Sequence, residues 1–243
     1  MNRSPGYARY VIRRMDMLHL LQTLVEHRVI ATDGEVGSVR DFLFDDQTWT
    51  IHYLIVDVKR WLSRQEVVLP VTTIKQLNWE NKSLHVQLTK EQVQLSPDVD
   101  TKEPVSRQQE NAMRDYFGKL AYWLDRGTPM TSSMATGMEY PVHTRGDLHL
   151  RSVSKLEGYE VWGTDGEVGR LEDFILDEAS WHLGYLEVKA GESLLCRSLL
   201  VPTRWVKSVS WANRRVNLIT HEKAFNPSPR GQPWACTSVL EVR

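Results

Sequence analysis

The sequence predicts a mainly β protein built from two small β-barrels that arose by internal duplication and are joined by a helix-containing linker. Three observations carry this. The run Thr32-Asp33-Gly34-Glu35-Val36-Gly37 recurs as Thr164-Asp165-Gly166-Glu167-Val168-Gly169, an offset of 132 residues. Over residues 32–56 against 164–188, thirteen of 25 positions are identical, and the same register then matches Pro70 to Pro202, Trp79 to Trp211 and Asn81 to Asn213. Finally, short apolar runs spaced by turn residues fill both copies, the pattern of an all-β barrel or sandwich. Two copies this far apart exclude a solenoid and point to two similar domains.

Residues 17–97 are expected to form the first barrel, 98–148 the linker, 149–226 the second barrel and 227–243 an extended C-terminal tail. The first 16 residues carry Arg3, Arg9, Arg13 and Arg14 before the first acid, Asp16. This is either a basic arm or a loose terminal extension. Leu18, Leu20, Leu21 and Leu24 make a short apolar lead-in. Strands are expected near Arg28–Ala31, Val36–Phe44, Thr50–Lys59, Glu66–Pro70, Ile74–Asn78 and Ser83–Leu88. Leu84, Val86 and Leu88 alternate with His85 and Gln87, the period of a half-buried strand. Asp33-Gly34 supplies the positive φ of a tight turn. Gly37, inside a strand pattern, marks a bulge or a close backbone approach. Asp45-Asp46-Gln47 and Glu80-Asn81-Lys82 read as turns, with Asn81 suited to the left-handed conformation. Thr89 to Val93 reads as one helical turn.

In the linker, Ser106 and Gln109 form a capping box. Met113, Tyr116, Phe117 and Leu120 then recur at helical spacing, which predicts a helix over about 106–117 packed on a barrel. Gly127 to Gly137 reads as a flexible loop. The second copy opens with Leu150-Arg151-Ser152-Val153. Its strands are expected near Glu160–Gly163, Val168–Leu176, His182–Lys189, Leu199–Pro202, Trp205–Ser210 and Arg215–Thr220. The proline-rich tail from Asn226 offers Trp234 as a docking point.

Comparing the copies assigns faces to the third strand. Leu54, Val56 and Val58 match Leu186, Val188 and Ala190, apolar in both. The alternate positions read Trp49, Ile51, Tyr53, Ile55 against Trp181, Leu183, Tyr185, Glu187. A glutamate is rarely buried without a partner, so this second face is expected to point outward. Trp49, Tyr53, Trp181 and Tyr185 are then candidate interface residues, between the barrels or between chains. The other reading is that a loop or the central helix covers them, or that bends bring them into the cores.

The 243 residues carry 30 basic and 31 acidic side chains, a net charge of −1, and the signs balance within each half as well: 1–98 and 151–243 each hold 12 of either sign. A nucleic-acid binder would show a basic domain or stripe. The two cysteines, Cys196 and Cys236, form no disulfide framework and no CxxC motif. No apolar run reaches the ~20 residues needed to span a bilayer. The expectation is a cytoplasmic protein without direct membrane insertion.

Chemistry-bearing patterns are absent. The eight histidines (His19, His27, His52, His85, His143, His149, His182 and His221) show no metal-ligand spacing, and no nucleophile elbow, P-loop or dinucleotide fingerprint occurs. Asp33, Glu35, Asp41 and Asp45 fit no calcium-loop pattern; turn and strand-end roles account for them. No catalytic residue, metal or cofactor is expected.

At the two Thr-Asp-Gly-Glu-Val-Gly runs, each followed by an Asp-Phe pair (Asp41-Phe42, Asp173-Phe174) and a Tyr-Leu strand (Tyr53-Leu54, Tyr185-Leu186), the chain resembles the PRC-barrel family. It looks like the tandem bacterial form, with a joining segment like Pro104 to Glu110 and Tyr122-Trp123. The resemblance implies small β-barrels that act as docking modules, as in the cytoplasmic domain of the photosynthetic reaction centre H subunit and in a factor that matures the small ribosomal subunit. Neither a membrane helix nor an RNA-processing-factor domain precedes the first barrel. His52 and Gly184 stand where related proteins often carry a basic residue. The resulting expectation is a non-catalytic protein-binding module, serving a membrane or photosynthesis-related complex. Its partner is an unidentified protein, with barrel–barrel contact in the chain and a homodimer allowed. The alternative is an RNA- or ribosome-associated factor using Arg13, Arg14, Arg214 and Arg215; RNA ranks below protein as a partner.

Overall fold

The computed structural model describes residues 18–59, 64–98, 112–113, 115–117, 150–190 and 197–221. The N-terminal arginines, the Ser106 capping box, the 127–137 loop, Cys196 and the tail with Trp234 and Cys236 lie outside them. The protein is mainly β. Fourteen strands occur among the described residues: β1 (Leu18–Leu20), β2 (Arg28–Ala31), β3 (Gly34–Asp45), β4 (Thr50–Lys59), β5 (Arg64–Pro70), β6 (Ile74–Asn78), β7 (Ser83–Val86), β8 (Leu150–Ser152), β9 (Glu160–Trp162), β10 (Glu167–Asp177), β11 (His182–Ala190), β12 (Arg197–Pro202), β13 (Val206–Ser210) and β14 (Arg215–Leu218). The short helix α1 (Lys90–Gln94) follows β7. Thr89 caps it through a capping box with Gln92, satisfying two of the free N–H groups at a helix start. In the expected linker helix, residues 112, 113 and 115–117 are helical. Met113 and Phe117 are buried, and the Tyr116 hydroxyl donates to the Gln92 carbonyl at 2.7 Å.

The chain divides into two compact units. Leu24–Val153 forms the N-terminal unit; Ser154 onward, together with the stretch ending at Thr23, forms the C-terminal unit. In the N-terminal unit the strands run β6-β7-β2-β3-β4-β5. All neighbours are antiparallel except β2 and β7, which are parallel. The C-terminal unit repeats this as β13-β14-β9-β10-β11-β12, with β14 and β9 parallel. Among the described residues no ladder joins β5 to β6. Instead Pro70 ends β5 and a 3-10 turn over Val71–Thr73 carries the chain on, with the Thr73 hydroxyl donating to the Pro70 carbonyl at 2.7 Å. The free edge of β5 is met by the segment after α1, through an antiparallel bridge between Val67 and Asp98 and a bond from Val68 N–H to the Pro97 carbonyl at 3.0 Å.

Each sheet curls around its own core. Val29, Val39, Phe42, Phe44, Leu54, Val56, Val67, Leu69 and Leu84 are buried in the first; Val161, Leu171, Phe174, Leu176, Leu186, Val188, Val201 and Val216 are buried in the second. Curling depends on the repeated glycines. A Cβ on Gly37 would stand 2.2 Å from the Asp57 carbonyl oxygen, and one on Gly169 the same distance from that of Lys189. Both glycines sit beside register shifts in the β2–β3 and β9–β10 ladders, where an extra residue bends the strand.

Two sequence expectations are corrected. In the β6–β7 turn and its counterpart, the positive φ falls on Lys82 (46°) and Arg214 (49°) rather than on Asn81 or Asn213. The amide oxygen of Asn78 accepts from Asn81 N–H at 2.9 Å and fixes the first of these turns. The face assigned to β4 is corrected as well. Phe44 pairs with Ile51 and Leu43 with Tyr53, so His52 is the extra residue of a bulge; Gly184 holds the same place between Leu183 and Tyr185. The bulge inverts the alternation, and Ile51 and Leu183 join the cores with no exposed surface. Ile55 is buried too.

Candidate functional site

The four candidate aromatics lie on the β3–β4 and β10–β11 hairpins, at equivalent places in the two units. Trp49 and Trp181 occupy the hairpin turns with the same left-handed backbone, φ 55° in each. Each N–H donates to the carbonyl of the aspartate that starts the turn, Trp49 to Asp45 and Trp181 to Asp177, both at 2.8 Å. The Asp45 carboxylate accepts Gln47 and Thr48 N–H, and Asp177 accepts Ala179 N–H. These Asx bonds explain why an acid opens both turns. The side chains then diverge. Trp49 is buried and stacks on Phe44, with centroids 5.4 Å apart. Trp181 follows Leu176 rather than a phenylalanine and stays half-buried. Tyr53 and Tyr185 are half-buried, each paired across its ladder with a strand-ending proline, Pro70 or Pro202. Glu187, the residue that suggested an outward face, is partly exposed and accepts a bond from the Ser198 hydroxyl at 2.6 Å.

The repeated carboxylates are engaged locally. Asp33 accepts Lys90 N–H at 2.8 Å and ties the β2–β3 turn to the start of α1. Glu35 pairs with Arg28 at 3.4 Å. Asp41 and Asp173, the acids of the two Asp-Phe pairs, are buried and each accepts the N–H of the following phenylalanine at 2.7 Å. Among the described residues no three His, Cys, Asp or Glu side chains gather as a metal would require.

The second partner of each buried aspartate comes from far along the chain. β8, which opens the second sequence repeat, is paired antiparallel with β3 of the N-terminal unit: Leu43 with Ser152, Phe44 with Arg151 and Asp45 with Leu150. β1, which opens the first repeat, is paired with β10 of the C-terminal unit: Leu18 with Asp177, His19 with Leu176 and Leu20 with Ile175. Each repeat thus gives its lead strand to the unit built from the other. The Ser152 hydroxyl donates to Asp41 inside the N-terminal unit, and Gln22 N–H donates to Asp173 at 3.2 Å in the C-terminal unit. Flanking side-chain contacts echo one another: Arg151 pairs with Asp46, and the His19 ring lies beside the Glu178 carboxylate, both at 3.6 Å. The Gln22 side chain adds a bond to Glu157. Ser152, Arg151, Gln22 and His19 were not singled out by sequence reasoning. Their one trace is that Leu18 and Leu150 keep the 132-residue offset.

Desolvation pushes the Asp173 carboxyl up to about 6, against the opposing bonds from Phe174 and Gln22 N–H, and the charges of Glu187 and Glu157 push it further the same way. His27 is buried edge-on to Trp79, with centroids 5.6 Å apart. Its ring nitrogens have no hydrogen-bond partner among the described residues. Burial holds it below the ordinary histidine range, and Lys82 adds to this. In the other unit Tyr159 takes its place against Trp211.

The arginines of the RNA-binding alternative are spoken for where they are described. Arg215 lies 4.1 Å over the Trp162 ring and 3.2 Å from Glu160. Arg214 lies 5.4 Å over Tyr159. Bonds from the Trp162 indole N–H and from Arg215 hold the Glu160 carboxyl below its usual range. Arg13 and Arg14 lie outside the described residues. No described helix is long and apolar enough to cross a membrane.

Two comparisons bear on this arrangement. The family model for the PRC-barrel domain matches residues 18–93 and 149–218. Both matched segments begin at a lead strand. A search of curated proteins finds no match.

Proposed function

Because the chain belongs to the PRC-barrel family, with two copies of the domain in tandem, we propose that it is a non-catalytic docking protein. The observation that carries this reading is how the repeated polar residues are used. Asp41, Asp45, Asp173 and Asp177, kept in both copies, accept local backbone N–H groups in turns and strands, which supports a structural use of these carboxylates. The tyrosines kept in both copies, Tyr53 and Tyr185, retain partly exposed rings with Trp181 nearby in sequence on its hairpin. Partly exposed aromatics supply contact area at low entropic cost and recur at protein interfaces. The partner is a protein, and the resemblance to the reaction centre H subunit makes a membrane-bound or photosynthetic complex, met from the cytoplasmic side, the first place to look. Arg214 and Arg215 are engaged within their own unit, which supports ranking RNA below protein as the partner.

The test is capture of tagged protein from its own host at low and high salt, read by mass spectrometry and nucleic-acid content. A discrete protein partner that survives high salt, and is lost with the Tyr53→Ala, Tyr185→Ala double variant, supports docking through these faces. RNA or ribosomal proteins released by salt would replace it with the RNA reading, because phosphate contacts weaken steeply with ionic strength.

A further inference from the structure

In the N-terminal unit the chain leaves β7, forms α1 behind the Thr89 cap and then runs along the outer edge of β5. There Val68 N–H donates to the Pro97 carbonyl at 3.0 Å and Val67 bridges Asp98. Val93 is fully buried on the way, and the buried Ser96 donates its hydroxyl to the Gln92 carbonyl at 3.0 Å. The equivalent edge of the C-terminal unit has no such neighbour: among the described residues β12 pairs with β11 alone. Leu200 stands opposite Glu187 as Val68 stands opposite Ile55, so its N–H points to the same outer side. Leu200 and Pro202 are half-buried where Val68 and Pro70 are buried. We propose that residues 225–230 of the same chain occupy this edge, with the Pro229 carbonyl accepting Leu200 N–H and the Phe225 ring taking the place of Val93.

Three observations name this occupant. The described chain sets out by the same route in both units: Thr164 N–H donates to the Thr220 carbonyl as Thr32 N–H donates to that of Leu88, both at 2.9 Å. His221, at the place of Thr89, bonds the Thr164 hydroxyl at 2.6 Å and stands 4.0 Å from Asp165, the counterpart of the Asp33 that ties down α1. From there the spacing is unchanged. Pro97 comes eight residues after Thr89, and Pro229 eight after His221, so the same path reaches the same edge. Finally, the residues used along that path recur at the 132-residue offset: Ser96-Pro97 as Ser228-Pro229, and the apolar Val93 as Phe225. The Ser96 hydroxyl bonds a backbone carbonyl, an acceptor that any residue at position 224 supplies. The helical turn itself is not carried over. Ala224 in place of Gln92 lacks the capping-box side chain, and Pro227 in place of Leu95 lacks the N–H that Leu95 gives to the Glu91 carbonyl. What recurs is the edge contact and its apolar anchor. An unpaired strand edge accepts an extended segment. A segment tethered beside that edge acts at an effective concentration of about millimolar, and both partners here belong to one unit.

The test is amide hydrogen exchange on the full chain, resolved by NMR at Leu200, Val68 and Val188. In the unmodified chain Leu200 is expected to exchange as slowly as Val68, at the same rate in dilute and concentrated solution. Phe225→Asp should speed exchange at Leu200 roughly tenfold or more. Val68 and Val188, the latter in β11 between β10 and β12, should keep their protection. If Phe225→Asp unfolds the unit, seen as lost protection at Val188, the milder Phe225→Ala is read in its place. Free exchange of Leu200 in the unmodified chain overturns the proposal, as does protection that survives the substitution at Phe225 in a folded chain. Protection that grows with protein concentration overturns it too, by assigning the edge to a second copy.

Discussion

The two buried aspartates, Asp41 and Asp173, occupy the same place in two copies of one fold and do the same work with different partners. Asp41 is met by a serine hydroxyl from β8, while Asp173 is met by the backbone N–H of Gln22, just beyond β1. At the position where β8 carries Ser152, β1 carries Leu20. An aliphatic residue there brings no donor to the carboxylate, and Asp173 is the one whose pKa burial raises to about 6. The comparison teaches that duplication preserved the need for a donor at the lead strand but not the chemistry that fills it. A matching difference stands at the other end of the repeat. His27 and Tyr159 both pack on a tryptophan, but at the histidine burial, with Lys82 beside it, disfavours the charged form.

The largest effects are expected at the glycines. Gly37→Ala and Gly169→Ala each drive a Cβ into a backbone carbonyl, and overpacking of this kind costs about 3 kcal/mol or more when backbone must move. Gly169 also holds φ at +154°, so its substitution should cost about 1 kcal/mol beyond that of Gly37. Denaturant midpoints measured for both variants check the order, and equal losses would break the distinction between the copies.

Next comes Asp173. Its folded pKa of about 6 lies above the ordinary 3.8, so the group favours folding fully below about 3.8, and that contribution is lost as pH rises through about 6. The total is about 2–3 kcal/mol for a shift of this size. Asp173→Asn keeps an acceptor oxygen and removes the charge. It should stabilise the C-terminal unit at pH 7 and flatten its pH profile between 4 and 7. Hydrogen exchange followed peptide by peptide would show this, and an unchanged profile would refute it.

Ser152→Ala should cost about 1–2 kcal/mol, because a buried carboxylate loses a donor. The loss should appear as faster exchange at Leu43–Asp45 in the N-terminal unit, although Ser152 lies 111 residues beyond Asp41. Faster exchange confined to the C-terminal unit would contradict the assignment of β8.

The smallest effect is expected at His27. Its pKa is lowered in the folded state, so its contribution is present above the ordinary 6.5 and is lost as pH falls below that value. Acid should therefore weaken the N-terminal unit while Asp173 protonation strengthens the C-terminal one. His27→Tyr, which copies Tyr159, should remove the acid sensitivity of the N-terminal unit alone.

Much of this architecture was legible in the residues. β2, β4 and β6 fall at the positions that alternation and turn chemistry assign them, because strand period and Asp-Gly turns are local properties. Gly37 was readable as a close-approach glycine for the same reason. The face of β4 differs from the one expected because a bulge at His52 adds one residue and flips parity; His52 carries no bulge signal, whereas Gly184, a glycine inside the matching strand, does. Of the candidate aromatics, the sequence located all four on equivalent hairpins, but the burial of Trp49 depends on Phe44 lying beneath it, where the second copy has Leu176.

The sequence by itself determined the duplication, the mainly β class and the family, since repeated residues at one offset are visible without coordinates. Only the tertiary structure decided which unit each lead strand completes. Leu18-His19-Leu20 and Leu150-Arg151-Ser152 are too short and too alike in pattern to name their partners. Their pairing is chosen by contacts more than a hundred residues away: a hydroxyl or an amide reaching a buried aspartate, with a basic side chain set beside an acid. Local periodicity specifies that a segment is a strand, while the choice of neighbour belongs to non-local hydrogen bonding and burial.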